Sequence, residues 1–245
     1  MAKILILGGT AEGVGVTKVV SEFSGMEPVY SLAGATKSPN LPNCRTRVGG
    51  FGGADGLSRY LKQEKIDGLV DATHPYASQM ANHATLACEE SNIPRIKLLR
   101  PAWTPVPGDD WHGVENAVEA AKLIPEIAKR VFLATGHKDL PTFEALSENW
   151  FLVRLVDAPK AEISLHKHQL ILGRGPFDLE AETQLLRTHK IDAVISKNSG
   201  GSTYAKIEAA RNLGLPVIMI DRPKPPKGIV VDSLDDIKNW FEKNY

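Results

Sequence analysis

A glycine-containing turn near the amino terminus has the residue types and spacing of a dinucleotide-binding loop. Residues 5–13, LILGGTAEG, run from an apolar strand pattern through glycines into a helix pattern, the context in which such a loop binds a pyrophosphate. Gly8 and Gly13 hold the first and third glycine positions, and Thr10 stands at the second. A helix N-terminus offers unpaired N–H groups to a phosphate, and we expect the Thr10 hydroxyl to donate one more bond. The residues predicted to contact a nicotinamide dinucleotide are Gly9, Thr10, Ala11 and Glu12.

A second glycine cluster, Gly49-Gly50-Phe51-Gly52-Gly53, follows another strand pattern and precedes a helix pattern. Backbone without side chains can lie directly against a ligand. We therefore expect Gly50 and Gly52 to contact the same cofactor. The alternative for each cluster is a turn with no ligand.

The choice between the two nicotinamide cofactors is read at the end of the second strand, where a carboxylate would bind the ribose 2′-hydroxyl of NADH. Residues 30–37, YSLAGATK, contain no carboxylate. Ser31, Thr36 and Lys37 are suited to a 2′-phosphate, so the pattern favours NADPH. The alternative is that these are ordinary loop hydroxyls and a solvated lysine.

Two segments of the second half combine glycines with cations and hydroxyls. Arg174 lies between Gly173 and Gly175 after a strand pattern, where a guanidinium can form bidentate bonds to a carboxylate or phosphate. The second segment, residues 196–206, opens a helix pattern with many donors. Its predicted ligand-binding residues are Ser196, Lys197, Asn198, Gly200, Thr203, Tyr204 and Lys206.

These segments fall between alternating strand and helix patterns, which predict parallel sheets covered by helices on both faces. The predicted strands are 3–7, 28–32, 45–48, 68–72, 95–99, 131–135, 151–155, 170–172, 193–196 and 217–220. The predicted helices lie near 13–24, 54–64, 76–91, 138–147, 178–189, 202–213 and 234–243. The fold class is therefore α/β, with two Rossmann-like parallel-sheet domains.

The predicted domains are residues 1–101, which bind the cofactor, and residues 130–223, which supply ligand contacts. A proline- and glycine-rich stretch indicates a crossing over 102–129, and the terminal helix at 224–245 is assigned to neither domain. Lys65-Ile66-Asp67 and Lys190-Ile191-Asp192 open similar units that end at Arg100-Pro101 and Arg222-Pro223. This internal repeat predicts that the loops at residues 71–75 and 196–200 are equivalent and face one cleft.

Bulk composition excludes several classes of protein. Lys+Arg and Asp+Glu balance at 29 each, so we expect no nonspecific binding to nucleic acid. Apolar runs are far shorter than the roughly 20 residues of a membrane span, and two cysteines fit a reducing compartment. We expect a cytoplasmic protein without a membrane span. The pair His166 and His168 lacks a nearby third ligand, so we predict no metal site.

Four blocks, taken in order, resemble the signature of the precorrin-6A reductase family and its cobalt-precorrin relatives. They are GGTxE at 8–12, DATHPYA at 71–77, GRGPF at 173–177 and SKNSGG at 196–201. The resemblance runs from Ile4 to about Pro223. It implies that NADPH binds in an active-site cleft between two α/β domains and passes hydride to an acidic tetrapyrrole, reducing a C=C bond of precorrin-6A in cobalamin biosynthesis.

The resemblance also assigns roles to residues. Asp71, Ala72 and Thr73 join the cofactor site, and Lys197, His74 and Tyr76 are candidate catalytic groups. Arg174 and Lys197 are expected to meet the substrate carboxylates, with Lys206, Arg154 and Arg211 as further cations. Alternatives stay open: His74 only shapes its turn, Asp71 caps the next helix, or the proton comes without an enzymatic acid.

Two other functions fit parts of the pattern. Glycine loops and a lysine–asparagine loop also suit a nucleotide-sugar or phosphate-ester enzyme, although the chain has no Gly-Lys-Ser/Thr phosphate loop and no obvious carboxylate cluster for magnesium. A noncatalytic NADP-binding sensor is the third reading. The sequence does not indicate an oligomeric state.

Overall fold

The chain builds two six-stranded parallel β-sheets, each in its own structural unit. A computed structural model describes residues 1–34, 39 and 41–245. Unit 1 contains residues 1–101 and 223–245, and unit 2 contains residues 102–222. The predicted fold class of two Rossmann-like α/β domains is confirmed. No helix within the described ranges is long and apolar enough to cross a membrane.

Unit 1 has the strand order of a dinucleotide-binding fold. Its strands, numbered along the whole chain, are β1 (Ala2–Leu7), β2 (Met26–Leu32), β3 (Arg45–Val48), β4 (Gly68–Asp71), β5 (Arg95–Leu98) and β12 (Ile229–Val231). They lie in the order β12-β5-β4-β1-β2-β3. The order reverses between β1 and β4, and ligands bind at the carboxyl ends of strands beside such a switch point.

Helices cover both faces of this sheet, as the burial of four consecutive β1 residues, Ile4–Leu7, requires. The helices of unit 1 are α1 (Ala11–Glu22), α2 (Gly53–Gln63), α3 (Ser78–Ser91) and α7 (Leu234–Asn244). Ile4 and Ile6 of β1 pack with α1 and α7, whereas Leu5 and Leu7 pack with α2 and α3. Phe241 of α7 is fully buried in the first of these cores. The terminal helix, left unassigned from the sequence, therefore belongs to unit 1.

Unit 2 repeats the same arrangement. Its strands are β6 (Trp111–Val114), β7 (Arg130–Ala134), β8 (Trp150–Leu155), β9 (His168–Leu172), β10 (Ala193–Lys197) and β11 (Val217–Ile220), in the order β6-β11-β10-β7-β8-β9. Its helices are α4 (Ala117–Ile127), α5 (Leu179–Thr188) and α6 (Ala205–Asn212). A short 3-10 helix at His137–Phe143 follows β7.

The internal sequence repeat corresponds to a structural repeat. β4 lies beside β1 in the way that β10 lies beside β7. Lys65 and Lys190 both adopt a positive φ before these strands. The carboxylates of Asp67 and Asp192 each accept a backbone N–H from the neighbouring strand, from Lys3 of β1 and from Arg130 of β7. The loops that follow β4 and β10 are therefore equivalent.

Two sequence predictions need correction. Residues 102–129 are not a simple crossing, because β6 forms an edge of the second sheet and α4 follows it. The four residues of β6 sit in a stretch whose prolines and glycines hide a strand signal. The helix predicted at 138–147 is a 3-10 helix at His137–Phe143, since Pro141 lacks the N–H that an α-helix would need there.

Three charged side chains are buried together with aromatic rings in unit 2. Arg154 of β8 and Glu182 of α5 form two hydrogen bonds, of 2.8 and 2.5 Å, with side chains only 9% and 3% exposed. Lys206 of α6 is 6% exposed, and its Nζ donates to the Thr203 carbonyl at 2.7 Å. Burial lowers the pKa of Lys206 to about 8, an effect that Glu182 opposes and Arg154 reinforces.

We expect Glu182→Gln to destabilise the protein by about 3–5 kcal/mol, because the buried Arg154 guanidinium loses its counter-charge. The matched control is Glu119→Gln, which removes an exposed ion pair with Lys122 and should change the free energy of unfolding by less than about 1 kcal/mol. Urea titrations of both variants measure the difference. Equal, small losses would contradict a desolvated pair.

The stability of the protein should rise with pH between the folded pKa of Lys206, about 8, and its ordinary value of 10.5. In this range the unfolded chain holds a proton on Lys206 that the folded chain has lost, so proton release favours folding, by at most about 1.4 kcal/mol per pH unit. The free energy of unfolding of wild type, measured relative to Lys206→Met, should therefore increase through this window. Parallel pH profiles would contradict the expectation.

Candidate functional site

The loop between β1 and α1 is built on the ring of Tyr30. A side chain added at Gly8 would place its Cβ 2.1 Å from Tyr30 Cζ, so Gly8 is required for this packing. The Tyr30 hydroxyl accepts the Gly9 N–H at 3.0 Å, and burial raises the pKa of Tyr30. Gly9 itself is exposed with φ of 101°. Its N–H is thus used within the loop, while its bare Cα faces solvent.

Thr10 caps α1, and its hydroxyl is bonded within the unit. Its hydroxyl accepts the Gly13 N–H at 3.0 Å and donates to the Ala72 carbonyl at 2.7 Å. A hydroxyl has one proton to donate, so the predicted phosphate bond would break the link to Ala72. The remaining donors at this helix end are the first backbone N–H groups of α1, which include those of Ala11 and Glu12.

Glu12 forms an ion pair with a residue that the sequence analysis did not single out. Its Oε2 lies 2.8 Å from Arg100 Nη1, and both side chains are partly buried. The pair joins the first turn of α1 to the segment after β5. A contact of Glu12 with a cofactor stays a prediction, and the carboxylate charge that would face a phosphate is neutralised by Arg100.

Asp71 supports the loop after β4 from below. Its carboxylate is fully buried; Oδ2 pairs with Lys97 Nζ at 2.9 Å and Oδ1 accepts the Thr73 N–H and hydroxyl. The carboxylate of Asp71 is therefore engaged within the unit, and a cofactor contact of this residue stays a prediction. The alternative of a helix cap is wrong, since Ala77 precedes α3. Ala72 is likewise buried, whereas Thr73 is partly exposed.

His74 and Tyr76 lie on the outer part of the same loop. His74 is exposed, and its Nδ1 accepts the Tyr76 N–H at 3.3 Å. Neutral His74 therefore carries its proton on Nε2. The two rings are tilted against each other with centroids 5.7 Å apart. The interpretation that His74 shapes its turn is supported by these bonds, and a catalytic contact stays a prediction.

The glycine loop between β3 and α2 leaves open space above its backbone. Gly49, Gly52 and Gly53 have positive φ angles. A Cβ at Gly49, Gly50, Gly52 or Gly53 would meet nothing within 4 Å. These glycines thus allow the positive φ angles and leave the loop backbone accessible. An accessible backbone is consistent with the predicted ligand contacts of Gly50 and Gly52.

Ser31 is buried and bonded to Arg47, another residue missed from the sequence. Arg47 Nη1 donates to Ser31 Oγ at 2.8 Å, and Ser31 is 5% exposed. A direct contact between the Ser31 hydroxyl and a 2′-phosphate is therefore corrected to a contact with a guanidinium. The contact follows from the parallel register that pairs Ser31 with Arg47, which the local sequence pattern does not reveal. Thr36 and Lys37 lie outside the described residues.

In unit 2, Lys197 ties the loops after β10 and β7 together. Its Nζ donates to the Thr135 carbonyl at 2.9 Å and lies 2.7 Å from Asp139 Oδ2. The side chain stays 19% exposed. Lys197 is thus able to meet a ligand at this edge of the sheet, but with its charge already balanced by Asp139.

Several predicted contacts of the loop after β10 are internal. Ser196 is fully buried. The side-chain amide of Asn198 accepts from and donates to the backbone of Trp103 at 2.8 and 3.0 Å. Both side chains are thus covered or already bonded, and substrate contacts of Ser196 and Asn198 stay a prediction. Gly200 is buried with φ of 65°, so it shapes the turn.

The other predicted cations of unit 2 are also engaged. Lys206 and Arg154 are buried as described above, which removes both from direct contact with a substrate. Arg211 lies 3.3 Å from Asp109 and donates to the Tyr204 hydroxyl at 3.2 Å. Tyr204 therefore carries a bonded hydroxyl, and Thr203 packs against Gly175 of the neighbouring loop.

Arg174 differs from these cations. It is exposed on the loop between β9 and α5, and no ion pair is described for it within residues 1–34, 39 and 41–245. Because Gly175 packs against Thr203, the Arg174 loop adjoins the loop after β10. Unit 2 therefore brings Arg174, Thr203 and Lys197 to loops at the carboxyl ends of its strands.

The chain has close relatives among known proteins. A sequence model of the precorrin-6x reductase CbiJ/CobK family matches residues 3–242. A precorrin-6A reductase of Rhodococcus erythropolis is 44% identical over 242 residues, covering 98% of this chain and 97% of the relative. A cobalt-precorrin-6A reductase of Priestia megaterium is 27% identical over 246 residues, covering 96% of each.

A solved structure gives the same result for the fold. The structure described as CobK precorrin-6A reductase superposes with a TM-score of 0.93 at 39% identity, covering 100% of this chain and 97% of the other. The sequence match spans both units, including the four blocks that carried the resemblance. The chain therefore belongs to the precorrin-6x reductase family, CbiJ/CobK.

Proposed function

We propose that the chain reduces one C=C bond of precorrin-6A with NADPH, giving precorrin-6B in cobalamin biosynthesis. The observation that carries the proposal is membership of the precorrin-6x reductase family over residues 3–242. The dinucleotide-type strand order of unit 1 and its two glycine loops support the choice of a nicotinamide cofactor.

The carboxyl edge of the unit 1 sheet fits a dinucleotide. Exposed Gly9 and the N-terminus of α1 offer bare backbone and N–H groups to a pyrophosphate. The uncovered glycines at 49–53 offer a surface without side chains for the adenosine part. Thr73, on the loop after β4, lies at the switch point, where that loop is bonded to the loop between β1 and α1. These residues are the proposed cofactor contacts, together with Gly50, Gly52, Ala11 and Glu12.

Reduction of a C=C bond adds a hydride and a proton. NADPH, when bound, supplies the hydride to one carbon and leaves as NADP⁺, and the proton is added elsewhere on the macrocycle. This chain has to orient the reactants and either donate that proton or admit it from solvent. His74, with its neutral-form proton on Nε2, and Tyr76 are the proposed residues lining the reacting face in unit 1.

The substrate is rich in carboxylates, whereas the protein has no net charge. Recognition therefore depends on local cations. Arg174 is the proposed main contact, because its guanidinium can bind a carboxylate through two parallel hydrogen bonds. Lys197 is the second, and the backbone and hydroxyl of Thr203 adjoin both loops.

Two different functions remain as outcomes of the test. A noncatalytic NADP sensor would bind the cofactor without turnover, and a nucleotide-sugar or phosphate-ester enzyme would act on other substrates. We propose a cytoplasmic location, in keeping with two free cysteines. Burial raises the pKa of the Cys88 thiol to about 12, so this thiol takes no part as a nucleophile.

The first experiment is anaerobic incubation of the protein with precorrin-6A and either NADPH or NADH. We expect oxidation of NADPH with a gain of two hydrogens in the tetrapyrrole, and a much lower rate with NADH. Cofactor absorbance and product mass measure the two halves of the reaction. Binding of NADPH without reduction of metal-free or cobalt-containing substrate would favour the sensor.

Arg174→Gln should raise the KM for the tetrapyrrole by about 10-fold, the value of one charge-assisted hydrogen bond, and leave the KM for NADPH unchanged. Steady-state kinetics measure both. Arg187→Gln, which removes an exposed arginine from the last turn of α5, is the matched control and should behave as wild type. An unchanged tetrapyrrole KM in Arg174→Gln would remove this residue from the substrate site.

A further inference from the structure

Arg47 reaches the place in unit 1 where the two nicotinamide cofactors differ. β3 pairs with β2 in parallel, and Ser31, near the end of β2, is opposite Arg47 in the register. Beyond it, Ala33 and Gly34 are exposed and carry no hydrogen-bonding side chain. Among the residues that the structure describes, the charged group at this strand end therefore comes from the neighbouring strand.

The guanidinium of Arg47 is held in one orientation. Nη1 donates to Ser31 Oγ at 2.8 Å and to the Gly49 carbonyl at 2.9 Å, and Nη2 donates to the Gly50 carbonyl at 3.1 Å. Its Cζ lies 3.8 Å from the centre of the Phe51 ring. A guanidinium has five N–H donors, so two remain beyond these three bonds.

The acceptors around Arg47 are a hydroxyl and two carbonyls, none of which balances its charge. By contrast Arg45, two residues earlier on the same strand, forms an ion pair with Glu64 at 2.9 Å. A fixed, partly buried guanidinium without a carboxylate partner among the described residues is suited to an anionic ligand. The uncovered backbone of Gly49 and Gly50 lies directly beside it.

In dinucleotide-binding folds the substituent on the adenosine ribose lies at the end of the second strand, where a nearby arginine accommodates a 2′-phosphate. We propose that Arg47 binds the 2′-phosphate of NADPH and sets the preference of this reductase for NADPH over NADH. Ser31 is a positioning residue that holds Arg47. This inference rests on the cofactor site proposed above for unit 1.

The test compares two ligands that differ only in this group. Isothermal titration calorimetry with 2′,5′-ADP and with ADP needs no turnover. Wild type should bind 2′,5′-ADP more tightly. In Arg47→Gln the affinity for 2′,5′-ADP should fall about 10- to 100-fold, the worth of charge-assisted hydrogen bonds, while the affinity for ADP changes less than about twofold. Arg45→Gln is the matched control and should bind both as wild type does.

The outcomes separate the claims. Equal weakening of both ligands in Arg47→Gln would show that Arg47 only braces the glycine loop, and equal binding of both ligands by wild type would overturn the assignment while leaving the reductase proposal intact. Arg47→Lys keeps the charge without the planar fork and should recover part of the lost affinity for 2′,5′-ADP. Failure of wild type to bind either nucleotide would instead overturn the proposed cofactor site itself.

Discussion

One hydrogen bond in each unit joins the carboxyl ends of the two adjacent strands where the strand order reverses, which are β1 and β4 in unit 1 and β7 and β10 in unit 2. In unit 1 the Thr10 hydroxyl donates to the Ala72 carbonyl, and in unit 2 the Lys197 ammonium donates to the Thr135 carbonyl. These two strands flank the point where strand order reverses, so their loops diverge unless something holds them. The groups proposed to contact ligands sit on the segments that these hydrogen bonds fix.

The two hydrogen bonds differ chemically, and the difference matches the ligand proposed for each unit. A neutral hydroxyl in unit 1 leaves the N-terminus of α1 free to act on a phosphate, and the buried pair of Asp71 and Lys97 braces the loop from below. In unit 2 the donor of this hydrogen bond is itself a cation. A seven-residue 3-10 helix follows β7 there, in the place that α1 occupies after β1 in unit 1. The same arrangement of strands thus offers backbone N–H donors in unit 1 and side-chain cations in unit 2.

Much of the fold was predictable because alternating β and α patterns have few topological solutions. The predictions missed the 11-residue helix α4 and two short strands, β6 with four residues and β12 with three. Such strands gain their stability from the sheet they join, a long-range contact that local pattern does not record. The glycine loops were placed correctly on the chain, since positive φ and bare backbone leave a direct mark in the sequence.

The sequence was less informative about which side chains are available to a ligand, because residue type does not show whether a charged group is already paired. A lysine within the buried strand pattern at 95–98 required a partner, and Asp71 at the end of an apolar strand was the natural one. The sequence contained that signal, whereas the partner of Arg154 is one of two glutamates in the first turn of α5, and the structure shows that it is Glu182. When the cations that already have internal partners are set aside, Arg174 and Lys197 are the predicted unit 2 cations with exposed side-chain surface for an acidic substrate. The charge of Lys197 is partly balanced by Asp139. A neutral protein that must capture a polycarboxylate through so few charges will depend strongly on each of them.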